Sequence, residues 1–338
     1  MFIKNSEDPT KRPLHQIPAY GANPIDMPVG TWPVMLTPFT QDNRVDWAAY
    51  DQLVDFYLAS GVKGLFAVCL SSELYCLTSQ ERIELARRAV ARANGKVPVI
   101  GVMLAEQSHK VSAMCEGVCR MKDTGLDVVV CLTNSFGQEG DDETIWQKHV
   151  FDFLEKADPD IPLGIYECPL PYARNISGEA LGCLGKTGRF FLTKDTCCNA
   201  DCLREKAKAI QGTPLHLYNA DICTLRMSME AGGHGYSGIV ANFFPHLIAW
   251  MCGNYRKDTK TAAELERFFQ KTNPLIHQRY MQSAKIYLER AGLRIGARTR
   301  VGEHEFSSKD LAAFDALRSE VEAWEQRLGL ENPFMSVG

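Results

Sequence analysis

Short apolar runs alternate with longer, helix-spaced stretches along most of this chain. The runs are Trp32-Pro33-Val34-Met35-Leu36-Thr37, then Gly64 to Cys69, Val97 to Leu104, Asp127 to Leu132, Pro162 to Glu167, Arg189 to Lys194, Leu215 to Tyr218 and Gly235 to Val240. Each is short and apolar almost throughout, the pattern of strands buried on both faces. Helical stretches fall at about Trp47 to Ser60, Ser108 to Lys122 and Glu143 to Lys156. Another begins where Thr78 or Ser79 caps a helix with Glu81 in its first turn. Eight βα repeats predict an α/β fold, a (β/α)8 TIM barrel of parallel strands. A doubly wound sheet would want a glycine-rich turn after its first strand. The turn here, Thr37-Pro38-Phe39-Thr40, has no glycine. Beyond Pro245 the pattern is wholly helical, over Pro245 to Cys252, Ala262 to Gly292 and Ser308 to Leu328. The expected organisation is therefore an N-terminal arm (1–28), the barrel (29–244) and an additional C-terminal helical extension (245–338) packed on the barrel flank.

Composition narrows the class. The 338 residues suit a barrel of about 250 residues with extensions. A net charge of −4 offers no basic face to nucleic acid. No apolar run reaches the roughly 18 residues of a spanning helix. Met1 to Met27 is polar, carries four prolines and does not read as a signal peptide. The expectation is a cytoplasmic protein whose N-terminal arm wraps its own surface or a partner subunit. The twelve cysteines lack the paired C-x-x-C spacing of zinc sites. They are expected to be reduced thiols serving mainly as small buried hydrophobes. No metal, cofactor or nucleotide is implied.

In a barrel of this kind the chemistry sits at the C-terminal ends of the strands. Those ends carry Ser71-Ser72-Glu73, Thr133-Asn134-Ser135-Phe136, Tyr166-Glu167-Cys168-Pro169, Thr193-Lys194-Asp195, Tyr218-Asn219 and Ser237-Gly238. Lys194 stands out. A lysine partly desolvated at a barrel mouth favours its neutral, nucleophilic amine, which condenses with carbonyls. The competing reading pairs it with a carboxylate such as Asp195 or Glu73, purely for structure. Tyr166 ends the neighbouring strand, where a phenol can pass a proton to a substrate oxygen or serve as a rim aromatic. Ser71 and Ser72 begin a turn whose hydroxyls and amides suit a carboxylate, or simply cap it.

These segments resemble the dihydrodipicolinate synthase and N-acetylneuraminate lyase family of Schiff-base (class I) aldolases. The likeness runs from about Gly30 to Phe244. It is carried by Thr37-Pro38-Phe39, by Leu70-Ser71-Ser72-Glu73 with Leu77-Thr78 and Glu81-Arg82, and by Tyr166-Glu167-Cys168-Pro169. Phe191-Leu192-Thr193-Lys194-Asp195-Thr196 and Gly235-Tyr236-Ser237-Gly238-Ile239-Val240-Ala241-Asn242 complete it. The interval of 28 residues from Tyr166 to Lys194 is also similar to the family's. The resemblance implies Lys194 as imine-forming nucleophile, Tyr166 as proton shuttle, and Ser71 with nearby amides as the clamp on a 2-oxo acid carboxylate. Ser72, Asn219, Ser237 and Glu167 are the further substrate-binding candidates, with Glu167 facing substrate hydroxyls or a neighbouring cation.

Three departures separate the chain from the synthase pattern. Leu70 stands for a relay threonine, Phe136 for a relay tyrosine lent across a dimer, and Pro171 for the arginine that grips the aldehyde's carboxylate. Arg174 is close to that last position but not equivalent. The implied activity is a lyase that releases or adds pyruvate, acting on a hydroxylated or sugar-derived 2-oxo acid. The alternatives are a 2-oxo-3-deoxy sugar acid dehydratase, a dihydrodipicolinate synthase (disfavoured by the three departures) and a catalytically silent 2-oxo acid binder. A homo-oligomer, dimer or tetramer, is expected.

Overall fold

A computed structural model describes residues 20–21, 25–105 and 110–336. Most of the expected N-terminal arm lies outside them. Eight parallel strands form one sheet: β1 Gly30–Thr31, β2 Leu65–Val68, β3 Val99–Val102, β4 Val128–Leu132, β5 Leu163–Tyr166, β6 Phe190–Asp195, β7 His216–Asn219 and β8 Gly235–Tyr236. Their order, β1-β8-β7-β6-β5-β4-β3-β2, leaves β1 and β2 at the edges. The sheet curls until these edges meet. Lys63 donates its amide to the Thr31 carbonyl, Phe66 to Pro33 and Met35 to Phe66, with a parallel bridge between Val34 and Phe66. β1 thus ends just before the run Trp32 to Thr37 expected to form the first strand. Pro33 has no N–H to give, so the run past Thr31 makes isolated bonds rather than a ladder. The eighth likewise ends at Tyr236, and Ile239–Asn242 winds into a 3-10 turn.

Helices α1 Trp47–Ala59, α2 Ser79–Ala93, α3 Val111–Lys122, α4 Glu143–Leu154, α5 Gly178–Lys186, α6 Ala200–Ala209 and α7 Leu225–Glu230 return the chain between strands. Thr78 caps α2 in a full capping box: its hydroxyl accepts from the Glu81 amide, and the Glu81 carboxylate accepts from the Thr78 amide at 2.9 Å. The C-terminal part holds α8 Pro245–Asn254, α9 Thr259–His277, α10 Gln282–Arg290 and α11 Ser308–Leu328. The single helix expected over Ala262 to Gly292 is two. Pro274 lies inside α9 and has no amide proton for the helix ladder, and α9 ends one turn later. Arg279 then takes a left-handed φ of 52° before α10 begins. That break sets the position of Tyr280.

Candidate active site at the barrel mouth

Strands β5 and β6 pair Tyr166 with Lys194. The Lys194 side chain is 4 % exposed, and its Nζ lies 4.2 Å from the centroid of the Tyr166 ring and 5.5 Å from that of Phe66. Among the described residues it has no carboxylate partner. Burial pushes its ammonium towards the neutral amine, opposed only partly by the buried thiols of Cys69 and Cys168. Burial raises those thiols in turn. It also raises the Tyr166 phenol well above its ordinary value, with Cys168 adding to the effect. The pair is an amine inclined to attack beside a phenol that keeps its proton.

Both carboxylates that offered a structural role for Lys194 are engaged elsewhere. Side chains alternate faces along a strand, so Glu167 and Asp195, one residue beyond Tyr166 and Lys194, point to the helix side. There Lys206 of α6 reaches both: Nζ is 2.5 Å from Glu167 Oε1 and 2.5 Å from Asp195 Oδ2, with all three side chains 1 % exposed. Glu167 also accepts from the amides of Ile176 at 2.9 Å and Thr196 at 3.2 Å. This corrects the substrate-binding assignment of Glu167. Its oxygens are filled by a lysine and two amides behind the strand. Burial, then the charge of Asp195, raises it to about 7.

Glu73, in a left-handed turn after β2, accepts from Lys285 of α10 at 2.7 Å and from the Arg300 and Val301 amides. Lys285 is fully buried and also donates to the Arg298 carbonyl at 2.7 Å. Arg300 binds both oxygens of Glu81. The loop bearing Ser71 is therefore bolted to the C-terminal part of the chain.

The turn residues divide. Ser72 is corrected to a structural role: Oγ donates towards the Met35 carbonyl at 2.7 Å or that of Ala67 at 3.1 Å, and accepts from the Cys69 amide. The amides of Ser72 and Glu73 close the same turn onto Cys69 and Leu70, so they are not free for a carboxylate. Burial raises the Tyr280 phenol, and the Ser71 hydroxyl opposes that rise. Asn219 is also satisfied locally, donating to Thr224 Oγ1 at 2.9 Å and accepting from the Asp221 amide at 2.8 Å. The side chain thus holds the turn after β7 rather than a ligand. The Ser237 hydroxyl is buried without a hydrogen-bond partner among the described residues, which leaves it available to a ligand.

Phe136, one of the departures, and Arg174 both have structural partners. Phe136 packs edge-on against Trp146 and Phe153 of α4. Arg174 gives Nη2 to the carbonyls of Gln138 at 2.7 Å and Asp141 at 2.9 Å, holding the loop after β4. Among the described residues, no cluster of three or more His, Cys, Asp or Glu can hold a metal, and no helix is long and apolar enough to cross a membrane. All twelve cysteines are free thiols; Cys119 and Cys198 are exposed, so not every one is a core residue.

Sequence reasoning missed Tyr280, which enters from the α9–α10 break. Its hydroxyl lies 2.6 Å from Asn242 Nδ2, and Asn242 in turn is held by the Val34 carbonyl at 2.9 Å and the Tyr57 hydroxyl. Its partners are so distant along the chain that no local pattern signals it.

Among curated proteins, the chain is 28 % identical to a 4-hydroxy-tetrahydrodipicolinate synthase of Pseudomonas savastanoi pv. phaseolicola over 264 residues, 77 % of this chain and 86 % of that one. It is 28 % identical to the like-named protein of Laribacter hongkongensis, over 67 % of this chain and 75 % of that one. Of solved structures, a dihydrodipicolinate synthase from Thermotoga maritima superposes with a TM-score of 0.78 at 18 % identity, covering 88 % of this chain and 99 % of that one. A prophage protein of the same family from E. coli K12, solved in complex with pyruvate, gives 0.73 at 19 %, covering 87 % and 98 %. These superpositions speak to the (β/α)8 fold alone. The model of the dihydrodipicolinate synthetase family matches residues 27–313, and together with the curated relatives this places the chain in that family of pyruvate-dependent lyases.

Proposed function

We propose that this enzyme forms a Schiff base between Lys194 and a 2-oxo acid, and cleaves a hydroxylated or sugar-derived substrate to pyruvate and an aldehyde. The observation that carries the reading is the Lys194 amine, buried against Tyr166 with no carboxylate partner among the described residues. The neutral amine adds to the C2 carbonyl. Tyr166 protonates the oxygen so that it leaves as water, and the imine takes up the C3–C4 bonding electrons as that bond breaks. The C4 hydroxyl loses its proton and becomes the aldehyde carbonyl. Protonation at C3 and hydrolysis then return pyruvate and free Lys194. Ser71 and Ser237 are the hydroxyls we assign to the substrate, Ser71 to its carboxylate. Incubation with pyruvate and borohydride should fix the adduct on Lys194, and Lys194→Ala should remove both adduct and turnover while the protein stays folded. Labelling of another lysine would refute the mechanism.

The same reading excludes dihydrodipicolinate synthesis, whatever the relatives are called. That reaction needs a cation for a second carboxylate and a hydroxyl chain for protons. Pro171 cannot donate, Leu70 and Phe136 cannot relay, and Arg174 gives its Nη2 to loop carbonyls. A missing general acid–base group alone lowers the rate by roughly 10²–10⁴-fold. In a coupled assay with pyruvate and aspartate semialdehyde, kcat/KM should fall below that of an authentic synthase by at least that factor. Equal values would overturn the exclusion.

A further inference from the structure

Strand pairing fixes which side chains share the barrel interior. Tyr166, Lys194, Tyr218, Gly235 and Gly30 are paired in succession across β5, β6, β7, β8 and β1. Paired residues point the same way, and residues two apart on a strand share a face. Trp32, two beyond Gly30, therefore faces inward with Tyr218. Their rings lie 5.2 Å apart, and both donate to the Pro28 carbonyl at the N-terminal end, so they fill the barrel beneath Lys194. Ser237, two beyond Gly235, still follows the ladder, giving its amide to the Asn219 carbonyl at 2.9 Å. Its side chain enters the interior about 7 Å nearer the mouth than the level of Lys194, at roughly 3.3 Å per residue. Ala220, two beyond Tyr218, is its inward neighbour on the β7 side, and its amide bonds the Asp195 carbonyl at 2.9 Å. Gly238 keeps the two segments together, because a Cβ there would collide with the Ala220 carbonyl oxygen. The rings of Phe66 and Tyr166 flank Lys194 on the β2 and β5 sides, whereas the β7–β8 wall carries a methyl and a hydroxyl. Room for a carbon chain lies over that wall. The Ser237 side chain there is 2 % exposed and its hydroxyl has no partner among the described residues.

We propose that Ser237 recognises the substrate's C4 hydroxyl and so selects hydroxylated 2-oxo acids over their unhydroxylated counterparts. With C2 joined to Lys194, the carboxylate lies towards the turn after β2 and the C2 oxygen towards Tyr166 on β5. Around the closed sheet, β8 stands two strands from β6 and two from β2, so its direction is distinct from both. The C3–C4 chain runs over Ala220 to Ser237. A serine hydroxyl can donate to or accept from an alcohol, and a methylene in that place leaves Ser237 buried and unpaired.

This inference rests on the Schiff-base reading, and the test separates the two. 4-Hydroxy-2-oxopentanoate and 2-oxopentanoate differ only in the C4 hydroxyl. Borohydride trapping with each gives a half-saturating concentration for the sum of adducts on Lys194. Wild type should favour the hydroxylated acid by about tenfold, the upper worth of one hydrogen bond between neutral groups. Ser237→Ala should bring the two acids within about twofold of each other, with the loss falling on the hydroxylated one. Ala220→Val narrows the same wall but keeps the serine, so both acids should weaken while the preference persists. The proposal is overturned if wild type traps pyruvate but shows no preference for the hydroxylated acid, or if the preference survives in Ser237→Ala. Unchanged trapping of both acids by Ala220→Val places the chain elsewhere and overturns it as well. So does a clear loss of stability to urea in Ser237→Ala, because removing a hydroxyl without a partner should leave the fold as stable or more so. A wild-type enzyme that traps neither these acids nor pyruvate brings down the Schiff-base reading instead, and this inference with it.

Discussion

Lys194 and Lys206 lie twelve positions apart, one on β6 and the other on the helix that follows it. Both are buried, yet they face opposite sides of the strand wall. Lys206 meets two carboxylates at 2.5 Å, whereas Lys194 meets two aromatic rings and two thiols. The carboxylates raise Lys206 above its ordinary value despite its desolvation, while desolvation lowers Lys194. Burial alone therefore does not mark a reactive lysine. Lys285 is lowered by burial as well, but its amine is held by Glu73; Lys194 combines lowering with a free amine, and strand alternation sets its face apart from that of Lys206.

The largest effect that tests this contrast is on stability. Lys206→Met leaves Glu167 and Asp195 buried side by side without their cation. Breaking such a cluster costs on the order of 3–5 kcal/mol. Urea unfolding at neutral pH should show that loss, and the loss should shrink as the pH falls and Glu167, raised by burial, takes up a proton. A change under about 1 kcal/mol would mean the cluster is not the structural counterpart drawn here.

Lys194→Met should behave in the opposite way. It exchanges an unpaired buried cation for an apolar side chain of similar length, so stability should hold or rise by on the order of 1 kcal/mol. The sign with pH follows from linkage. The folded-state value of Lys194 lies below its unfolded one, so across that interval the unfolded chain binds the extra proton and wild-type stability rises with pH. The variant's advantage should thus be greatest below the lowered value and vanish towards 10.5. Destabilisation by the methionine would show that Lys194 holds a structural contact after all.

The two faces also differ in how far they can be read from sequence. Lys194, Tyr166 and the strands that carry them follow from short apolar runs, from alternation and from family resemblance. Glu167 does not, because its meaning depends on a partner 39 residues downstream that no spacing rule connects to it. Ser72 looks like Ser71 on paper, and only the carbonyls of Met35 and Ala67 show that its hydroxyl is spent. Helix α5 is hidden for another reason. Gly182 weakens its helical signal, but a Cβ there would come within 3.0 Å of the Ala209 carbonyl oxygen, so close packing of α5 on α6 demands the glycine. Tyr280 is the furthest from legible. It sits inside what reads as one continuous helix, and its partner Asn242 lies 38 residues upstream.

The smallest expected effect is the finest probe of the contrast. Imine formation needs the neutral amine, so the rate of borohydride trapping with pyruvate should rise with pH through the value of Lys194 and then level off. Burial places that rise below 10.5, the ordinary value for a lysine. Lys206 is shifted the other way and stays protonated throughout the same range, so it should remain unlabelled. The phenol of Tyr166, raised by burial, also keeps its proton there and should add no second limb. A single acid limb below the ordinary lysine range, with the label on Lys194, is therefore the expected result. A limb at or above 10.5, or trapping on Lys206 as the pH increases, would mean that the two lysines share an environment and that the wall of β5 and β6 does not separate chemistry from structure.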